Sequence, residues 1–272
     1  MNQATSSGEG NPLGMWELED GGPFVLPPQS CSERRQEFFR RANRILGTYA
    51  ATTLYAGVGQ TSLERSAEAH GIRDKTPMRI PMGRVTIQWP YRVLRSTFAS
   101  AGDELTNQAF LMIYGNFEAY LADLVYDALA SSHAKAPFDD ALRLMASMKW
   151  WGKLDRIGQR FDLRLGRARY RKAYEGIEMG FLGREMSDPI DFLEAMAEMR
   201  HRLVHSAGRV DANLRTKYPG YDLPEGALIR LPPELPFDIQ LFLVPLTDLL
   251  DDAFCTRFGW KRRCVHVERL VS

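Results

Sequence analysis

A long amphipathic stripe between Asp103 and about Ser132 constrains the fold more than any other feature of this sequence. Apolar residues recur there at intervals of three and four, the spacing that places them on one face of an α-helix. The stripe runs through Leu105, Ala109, Met112, Ile113, Phe117, Leu121, Leu124 and Leu129. Because it lasts for about seven turns, it predicts the central helix of a bundle whose other helices cover the apolar face.

Three further segments carry helical periodicity: 138–149, 188–205 and about 236–258. The helix at 188–205 has a clear start, because Asp188 is a good N-cap and Pro189 fits the first turn. We therefore predict a mainly α fold, with about four core helices in a bundle, an N-terminal helical extension and short extended segments.

The chain divides into four parts by composition and pattern. Residues 1–30 have the Gly, Pro and acidic composition of a flexible tail, and 31–99 form a helical extension with an irregular segment. In that segment only Arg84–Trp89 is expected to form a strand. Residues 100–258 form the bundle, and 259–272 form a C-terminal tail.

The composition narrows the class of protein. A formal net charge of +1 excludes a uniformly basic coat, and no stretch is long and apolar enough to span a membrane. The N-terminus lacks a secretory signal, and three cysteines are too few for a disulfide framework. These features predict a reduced, cytoplasmic protein that has no membrane partner.

Signatures of several common enzyme classes are missing. The sequence contains no GxxxxGK[ST], no GxGxxG after a strand, no GxSxG, no HExxH and no CxxC. These absences argue against a P-loop NTPase, a Rossmann enzyme, an α/β-hydrolase and a zincin. We expect no cofactor and no metal.

One cluster has residues suited to chemistry on a phosphodiester. His201 and His205 lie one turn apart on the same face of the 188–205 helix. Arg200 aligns with Leu193 and Val204 on the more apolar side, where it needs an anion, a carboxylate or a subunit boundary. A fixed guanidinium stabilises developing negative charge, and an imidazole transfers protons.

The run Arg200-His-Arg-Leu-Val-His205, followed by Ser-Ala-Gly-Arg-Val-Asp, resembles the signature of the HEPN superfamily. In that signature an Arg precedes a His by four to six residues, often with a polar residue after the Arg, a position that His201 fills. Glu118-Ala-Tyr-Leu121 resembles the Glu-x-x-Leu element of the family's preceding helix, so Glu118 is a supporting residue. The resemblance covers about 100–258 and implies a small bundle of about four helices.

The resemblance implies a metal-independent endoribonuclease in which the RNA 2′-hydroxyl attacks the adjacent phosphorus. Two subunits would face each other in a homodimer and form one composite site. Arg200 would hold the phosphate, two copies of His205 would act as base and acid, and His201 would orient the phosphate. The resemblance further implies a toxin or antiviral effector that an inhibitory protein partner restrains.

Arg202 is a candidate RNA-binding residue, and an Arg-rich stretch supplies five more. These are Arg156, Arg160, Arg164, Arg167 and Arg169, interleaved or flanked by Trp150, Trp151 and Tyr170. Arginine side chains can bind the phosphate backbone, and neighbouring aromatic rings can stack on unpaired nucleobases. The alternative is a solvated helix face whose arginines pair with the acidic stretches at 187–198 and 248–252.

A non-catalytic function is the competing interpretation. The chain would then be a HEPN-like interaction or nucleotide-binding module. Arg200 would form a salt bridge to an acid such as Glu118, and His205 would cap the end of its helix.

Overall fold

The computed structural model of the chain describes residues 30–146, 149–205, 208–221 and 223–264. The helices are α1 (Glu33–Ala69), α2 (Tyr91–Ser131), α3 (Pro137–Met145), α4 (Trp150–Phe161), α5 (Arg167–Ala173), α6 (Pro189–His205), α7 (Ala212–Lys217) and α8 (Leu235–Phe258). The strands are β1 (Ser30–Cys31), β2 (Pro77–Met82), β3 (Val85–Pro90), β4 (Met179–Phe181), β5 (Arg184–Met186) and β6 (Arg263–Cys264), paired as three antiparallel two-stranded ribbons, β1–β6, β2–β3 and β4–β5. Helices make up 67% of the structure, so the mainly α bundle predicted from the sequence is confirmed. Residues 1–29 and 265–272, within the two predicted tails, lie outside the described residues.

Helix α2 is the centre of the bundle. Most of its apolar stripe is buried, with Phe110, Phe117 and Leu124 all fully inaccessible, although Met112 of the predicted stripe is 55% exposed. The helix packs against α1, α3, α6 and α8. The helix begins at Tyr91, well before Asp103, so the predicted domain boundary at residue 100 falls inside it. The first turns of α2 were not predicted because they bury few residues and therefore carry no apolar stripe.

The first half of α1 belongs to the bundle. Phe38, Phe39 and Leu46 are buried against the core, and α1 packs on both α2 and α8. The guanidinium of Arg35 is 1% exposed and donates to the Val244 carbonyl of α8 at 3.1 Å. The prediction that 31–99 is an extension outside the bundle is therefore corrected for this half of α1.

The rest of this region projects from the bundle as a two-helix arm. The arm consists of 50–69 of α1, the β2–β3 ribbon and 91–102 of α2. At its root the Tyr49 hydroxyl meets the Thr106 hydroxyl at 2.8 Å. Strand β3 confirms the strand predicted at Arg84–Trp89, shifted by one residue, while its proline-containing partner β2 was not predicted.

Asp188 fixes the start of α6. Its carboxylate accepts the Ile190 N–H at 2.9 Å, as an N-cap should, and Pro189 is the first helical residue, as predicted. The same carboxylate pairs with Arg167 at 2.8 Å and with Arg171 at 2.7 Å. Asp188 therefore joins α5 to α6.

The Asp188→Ala variant should lose about 2 kcal/mol of unfolding free energy, since it removes both an N-cap and two partly exposed ion pairs. Asp188→Asn should lose about half of that, because Asn still caps the helix. Urea unfolding of the three proteins measures both differences. Equal stability of all three would contradict this account of the helix start.

The advantage of Asp188 over Asn should depend on pH. Burial alone would raise the pKa of Asp188, but hydrogen bonds from the Ile190 N–H and from Arg171 and Arg167 lower it. A depressed folded pKa gives stability that is present above the unfolded value of about 3.9 and is lost as pH falls through the folded value. The gap between wild type and Asp188→Asn should therefore shrink below about pH 4 in acid unfolding series.

Candidate functional site

Helix α6 is rotated differently from the sequence prediction. Its buried side carries Leu193, Met196 and Met199 and continues to Arg202, whereas Val204 is 48% exposed. Arg200 is half-buried at the edge of this side. The prediction that Arg200 lies on the packing side is corrected, and Arg202 occupies that side instead.

Carboxylates on two elements hold Arg202. Its guanidinium lies 3.0 Å from Glu198, one turn earlier on α6, and 2.5 Å from Asp211, the N-cap of α7. Lys217 of α7 also pairs with Glu198. The Arg202 side chain is 8% exposed and committed to these carboxylates, so the assignment of Arg202 to RNA binding is corrected to a structural role.

These cations affect both carboxylates. Burial alone would raise the pKa of Glu198, but hydrogen bonds from Lys217 and Arg202 lower it. The pKa of Asp211 is lowered first by the Leu214 N–H and then by Arg202. Asp211 belongs to the Gly-Arg-Val-Asp run after the Arg-His motif, and this position is the one sequence signal that pointed to the pairing.

Two of the predicted catalytic residues, His201 and His205, lie at the surface on the opposite side of α6, whereas Arg200 stays at the half-buried edge. His201 and His205 are exposed, and their ring centroids are 4.8 Å apart, as expected for residues one turn apart. Arg200, His201 and His205 form no ion pair with the described residues. Arg200 and His205 are five residues apart, so they point in directions about 140° apart around the helix.

A cleft of about 760 Å³ opens beside α6, and Arg200 and His201 lie in its wall. Its lining also includes Tyr114, Glu118, Lys149, Trp151, Lys153, Arg167, Ile190, Asp191, Glu194, Ala197, Glu198 and Lys217. His205 lies outside this lining. Sequence reasoning missed Lys149 and Lys217, because they come from segments that only the fold brings next to α6.

Most charges in the cleft neutralise each other, but among the described residues Lys149, Arg200 and Glu194 form no ion pair, and Glu194 only accepts the Trp151 N–H at 3.3 Å. Glu118 pairs with Lys153 at 3.2 Å rather than with Arg200, so the proposed Arg200–Glu118 salt bridge is wrong. Lys149 and Arg200 have no acidic partner among the residues that the structure describes. These two cations, with His201, are therefore the groups free to meet an anion.

Tyr114 lines the cleft together with Glu118 and Arg200. It is buried, and its hydroxyl accepts the Trp150 indole N–H at 2.9 Å. Burial and the nearby Glu118 raise the pKa of Tyr114, while the Trp150 hydrogen bond and Arg200 partly offset them. Tyr114 therefore remains a neutral phenol that supports the wall beside Arg200.

The Arg-rich stretch divides into free and paired residues. Arg156, Arg160 and Arg164 are exposed, and within the described ranges they have no acidic partner. Arg167 pairs with Asp188 and Asp191, and Arg169 pairs with Asp252 at 3.4 Å. The alternative interpretation of paired arginines thus describes Arg167 and Arg169, while the other three stay available to RNA.

Two of the three aromatic residues near this stretch are unavailable for base stacking. Trp150 and Tyr170 are buried in the core, at 1% and 0% exposure. Trp151 is half-buried in the cleft, with the Arg167 guanidinium 5.9 Å from its ring centroid. Only Trp151 therefore offers an aromatic surface next to the site.

The described part of the chain contains neither a cluster of metal ligands nor a membrane-spanning helix. Among the described residues, no group of three or more His, Cys, Asp or Glu side chains is arranged to hold a metal ion. None of the described helices combines the length and apolarity that crossing a bilayer requires. Comparison with family models, with curated proteins and with solved structures found no match for this chain.

Replacing Arg202 and Arg200 separately should show which arginine is structural. Arg202→Ala leaves Asp211 without its partner and should lower the unfolding free energy by about 2 kcal/mol, less than for a fully buried pair because Asp211 is 54% exposed. Arg200→Ala should change it by less than about 0.5 kcal/mol. Urea unfolding measures both values, and the reverse order of the two effects would contradict the observed rotation of α6.

Proposed function

We propose that this protein is a HEPN-like, metal-independent endoribonuclease that acts as a homodimer. The observation that supports the proposal is that Arg200, in the wall of the cleft, and the exposed His201 and His205 are not neutralised by any described acidic residue. Residues of a purely structural motif would be expected to have their own partners, as Arg202 does.

The cleavage step needs one base, one acid and a cation. One imidazole takes the proton of the RNA 2′-hydroxyl, whose oxygen forms a bond to the adjacent phosphorus. The bond from phosphorus to the 5′-oxygen breaks, and a second imidazole protonates that oxygen. The products are a 2′,3′-cyclic phosphate and a 5′-hydroxyl, and Arg200 stabilises the extra charge on the phosphoryl oxygens.

The geometry of α6 favours a site shared by two copies. In one protomer Arg200 and His205 point about 140° apart, so they do not face one phosphate together. A two-fold axis beside the last turn of α6 places His205 of each copy near the other copy's cleft. The exposed Val204, between the two functional groups, supplies apolar area for that contact.

The proposed biological role follows the family resemblance. A nuclease of this type acts in the cytoplasm as a toxin or antiviral effector, and an inhibitory protein partner holds it inactive. The free arginines Arg156, Arg160 and Arg164, together with Lys149 in the cleft, provide phosphate contacts for the RNA.

Incubation with single-stranded RNA in EDTA tests the proposal. We expect cleavage by the wild type, with products that carry 2′,3′-cyclic phosphate and 5′-hydroxyl ends. Arg200→Ala and His205→Ala should each reduce the rate by at least about 100-fold, since each removes a group that acts on the transition state.

Arg215→Ala is the matched control, because it removes an exposed cation of the neighbouring α7 while leaving Arg200 and His205 in place. It should cleave at close to the wild-type rate. Cleavage that persists in both Arg200→Ala and His205→Ala would refute the site, provided that both variants unfold at the wild-type urea concentration.

A nucleotide-binding module is the second candidate, and the cleft itself favours it. Its volume of about 760 Å³ falls in the range of small-ligand sites, and Lys149, Arg200 and Trp151 line it within one protomer. This function requires no contribution from His205, which lies outside the lining. Saturable ATP binding by calorimetry that survives His205→Ala but not Arg200→Ala, with no RNA cleavage, would favour it.

A further inference from the structure

The end of the arm concentrates positive charge. Residues 71–96 contain one acidic residue, Asp74, and six basic residues: Arg73, Lys75, Arg79, Arg84, Arg92 and Arg95. All six bases are exposed, and Asp74 pairs with Arg95 alone, at 3.6 Å. The remainder of the chain has the opposite balance, with 29 of the 35 bases and 33 of the 34 acids. We call 71–96 the basic tip.

Backbone hydrogen bonds hold the basic tip in a defined conformation. The β2–β3 ribbon is paired from Pro77↔Pro90 to Met82↔Val85. Before the ribbon, the Asp74 carbonyl accepts the Arg92 N–H at 3.0 Å, and the Thr76 carbonyl accepts the Tyr91 N–H at 2.8 Å. The loop that carries Arg73 and Lys75 is therefore fastened to the start of α2.

The two faces of the ribbon differ in chemistry. Arg79 and Gln88 are cross-strand partners on one face, which is exposed. Met78 pairs with Trp89 on the other face, which is half-buried beside α2. The ribbon thus turns its apolar side chains toward the arm and presents arginine and amide groups to solvent, with Arg84 in its turn.

This surface suits a polyanionic backbone more than unpaired nucleobases. Tyr91 is buried, and Trp89 lies on the inward face, so neither ring is presented for stacking on the outward face. Single-stranded RNA is bound largely by such stacking, whereas double-stranded RNA is recognised through its phosphates and shape. The exposed arginines therefore favour a double-helical partner.

The root of the arm lies beside the end of α6. Gly208, just after α6, accepts the Ile229 N–H at 2.6 Å, and the Ile229 carbonyl accepts the Asn107 amide of α2 at 2.8 Å. Residues 50–69 then extend for about 30 Å, at 1.5 Å per residue. The basic tip thus lies at the far end of an arm whose root is beside the end of α6.

We propose that the basic tip is a second nucleic-acid-binding surface, which holds the backbone of a double-stranded RNA stem while an adjoining single-stranded part reaches α6. The choice of RNA rests on the proposed nuclease function, whereas binding of a duplex backbone rests on the tip itself. Its contacts are independent of nucleotide sequence and strongly dependent on salt.

Fluorescence anisotropy with a labelled RNA hairpin tests the proposal in the full chain carrying His205→Ala, which separates binding from cleavage. Reversing two tip charges with Arg79→Glu and Arg84→Glu should weaken binding at least about tenfold and lower the salt slope by about two. The control reverses Lys135 and Arg143, which are exposed near the opposite end of α2. It should leave the affinity within about twofold, since those side chains lie far from the tip.

A milder pair, Arg79→Gln and Arg84→Gln, guards against misfolding and should give a loss intermediate between wild type and the Glu pair. Equal affinity of the tip and control variants would overturn the proposal. So would tighter binding of a DNA duplex than of the RNA hairpin, or binding to anionic phospholipid vesicles with none to RNA. If the wild type fails to cleave RNA in EDTA while binding still depends on the basic tip, the nuclease function alone is refuted.

Discussion

The buried guanidinium of Arg202 determines what α6 shows to the solvent. A charge that is 8% exposed is stable only beside opposite charges, and Glu198 and Asp211 provide them. Asp211 caps α7, and Lys217 of α7 forms an ion pair with Glu198 of α6. The last turn of α6 is therefore fixed to the next helix. This rotation leaves His201 and His205 exposed and places Arg200, half-buried, in the wall of the cleft.

The same network separates two types of arginine that look alike in the sequence. Arg200 and Arg202 flank His201, and both could stabilise an anion. The structure assigns Arg202 to the acids of its own chain and leaves Arg200 in the wall of a cleft where Lys153, Arg167 and Lys217 are already paired. Among the described residues of the cleft, the cations without an acidic partner are therefore Arg200 and Lys149, and Glu194 is an acid without a cationic partner.

Sequence reasoning located most helices, because their signals are local. The stripe in α2 and the Asp188–Pro189 start of α6 depend on neighbours a few residues away. The rotation of α6 was wrong because Val204 looks like a core residue, and only the distant packing shows that it is exposed. The alternative interpretation named the acidic stretches that contain Asp188 and Asp252. Which arginines pair with them depends on tertiary contacts that spacing does not encode.

The sequence predicted a helical extension and the strand β3, but it did not predict the two-helix arm that they form, and the physical reason is different. Two helices without a third layer bury few side chains, so 50–66 shows no apolar stripe of the kind that marked α2. The prolines of β2 also resemble a loop, although in a two-stranded ribbon a residue without an N–H is tolerated. The bases of 71–96 were visible in the sequence, but their common exposure at the end of the arm was not.

The central claim is that the outward side of α6 meets its own copy. A single cysteine at Val204, placed in a Cys264→Ser chain, tests it most directly, because the other two cysteines, Cys31 and Cys255, are buried. A short bifunctional maleimide should convert this variant to a covalent dimer. The Leu142→Cys control on α3, at a position 55% exposed against 48% for Val204, should stay monomeric on a denaturing gel. Absence of cross-linking at Val204, or equal cross-linking at both positions, would contradict the composite site.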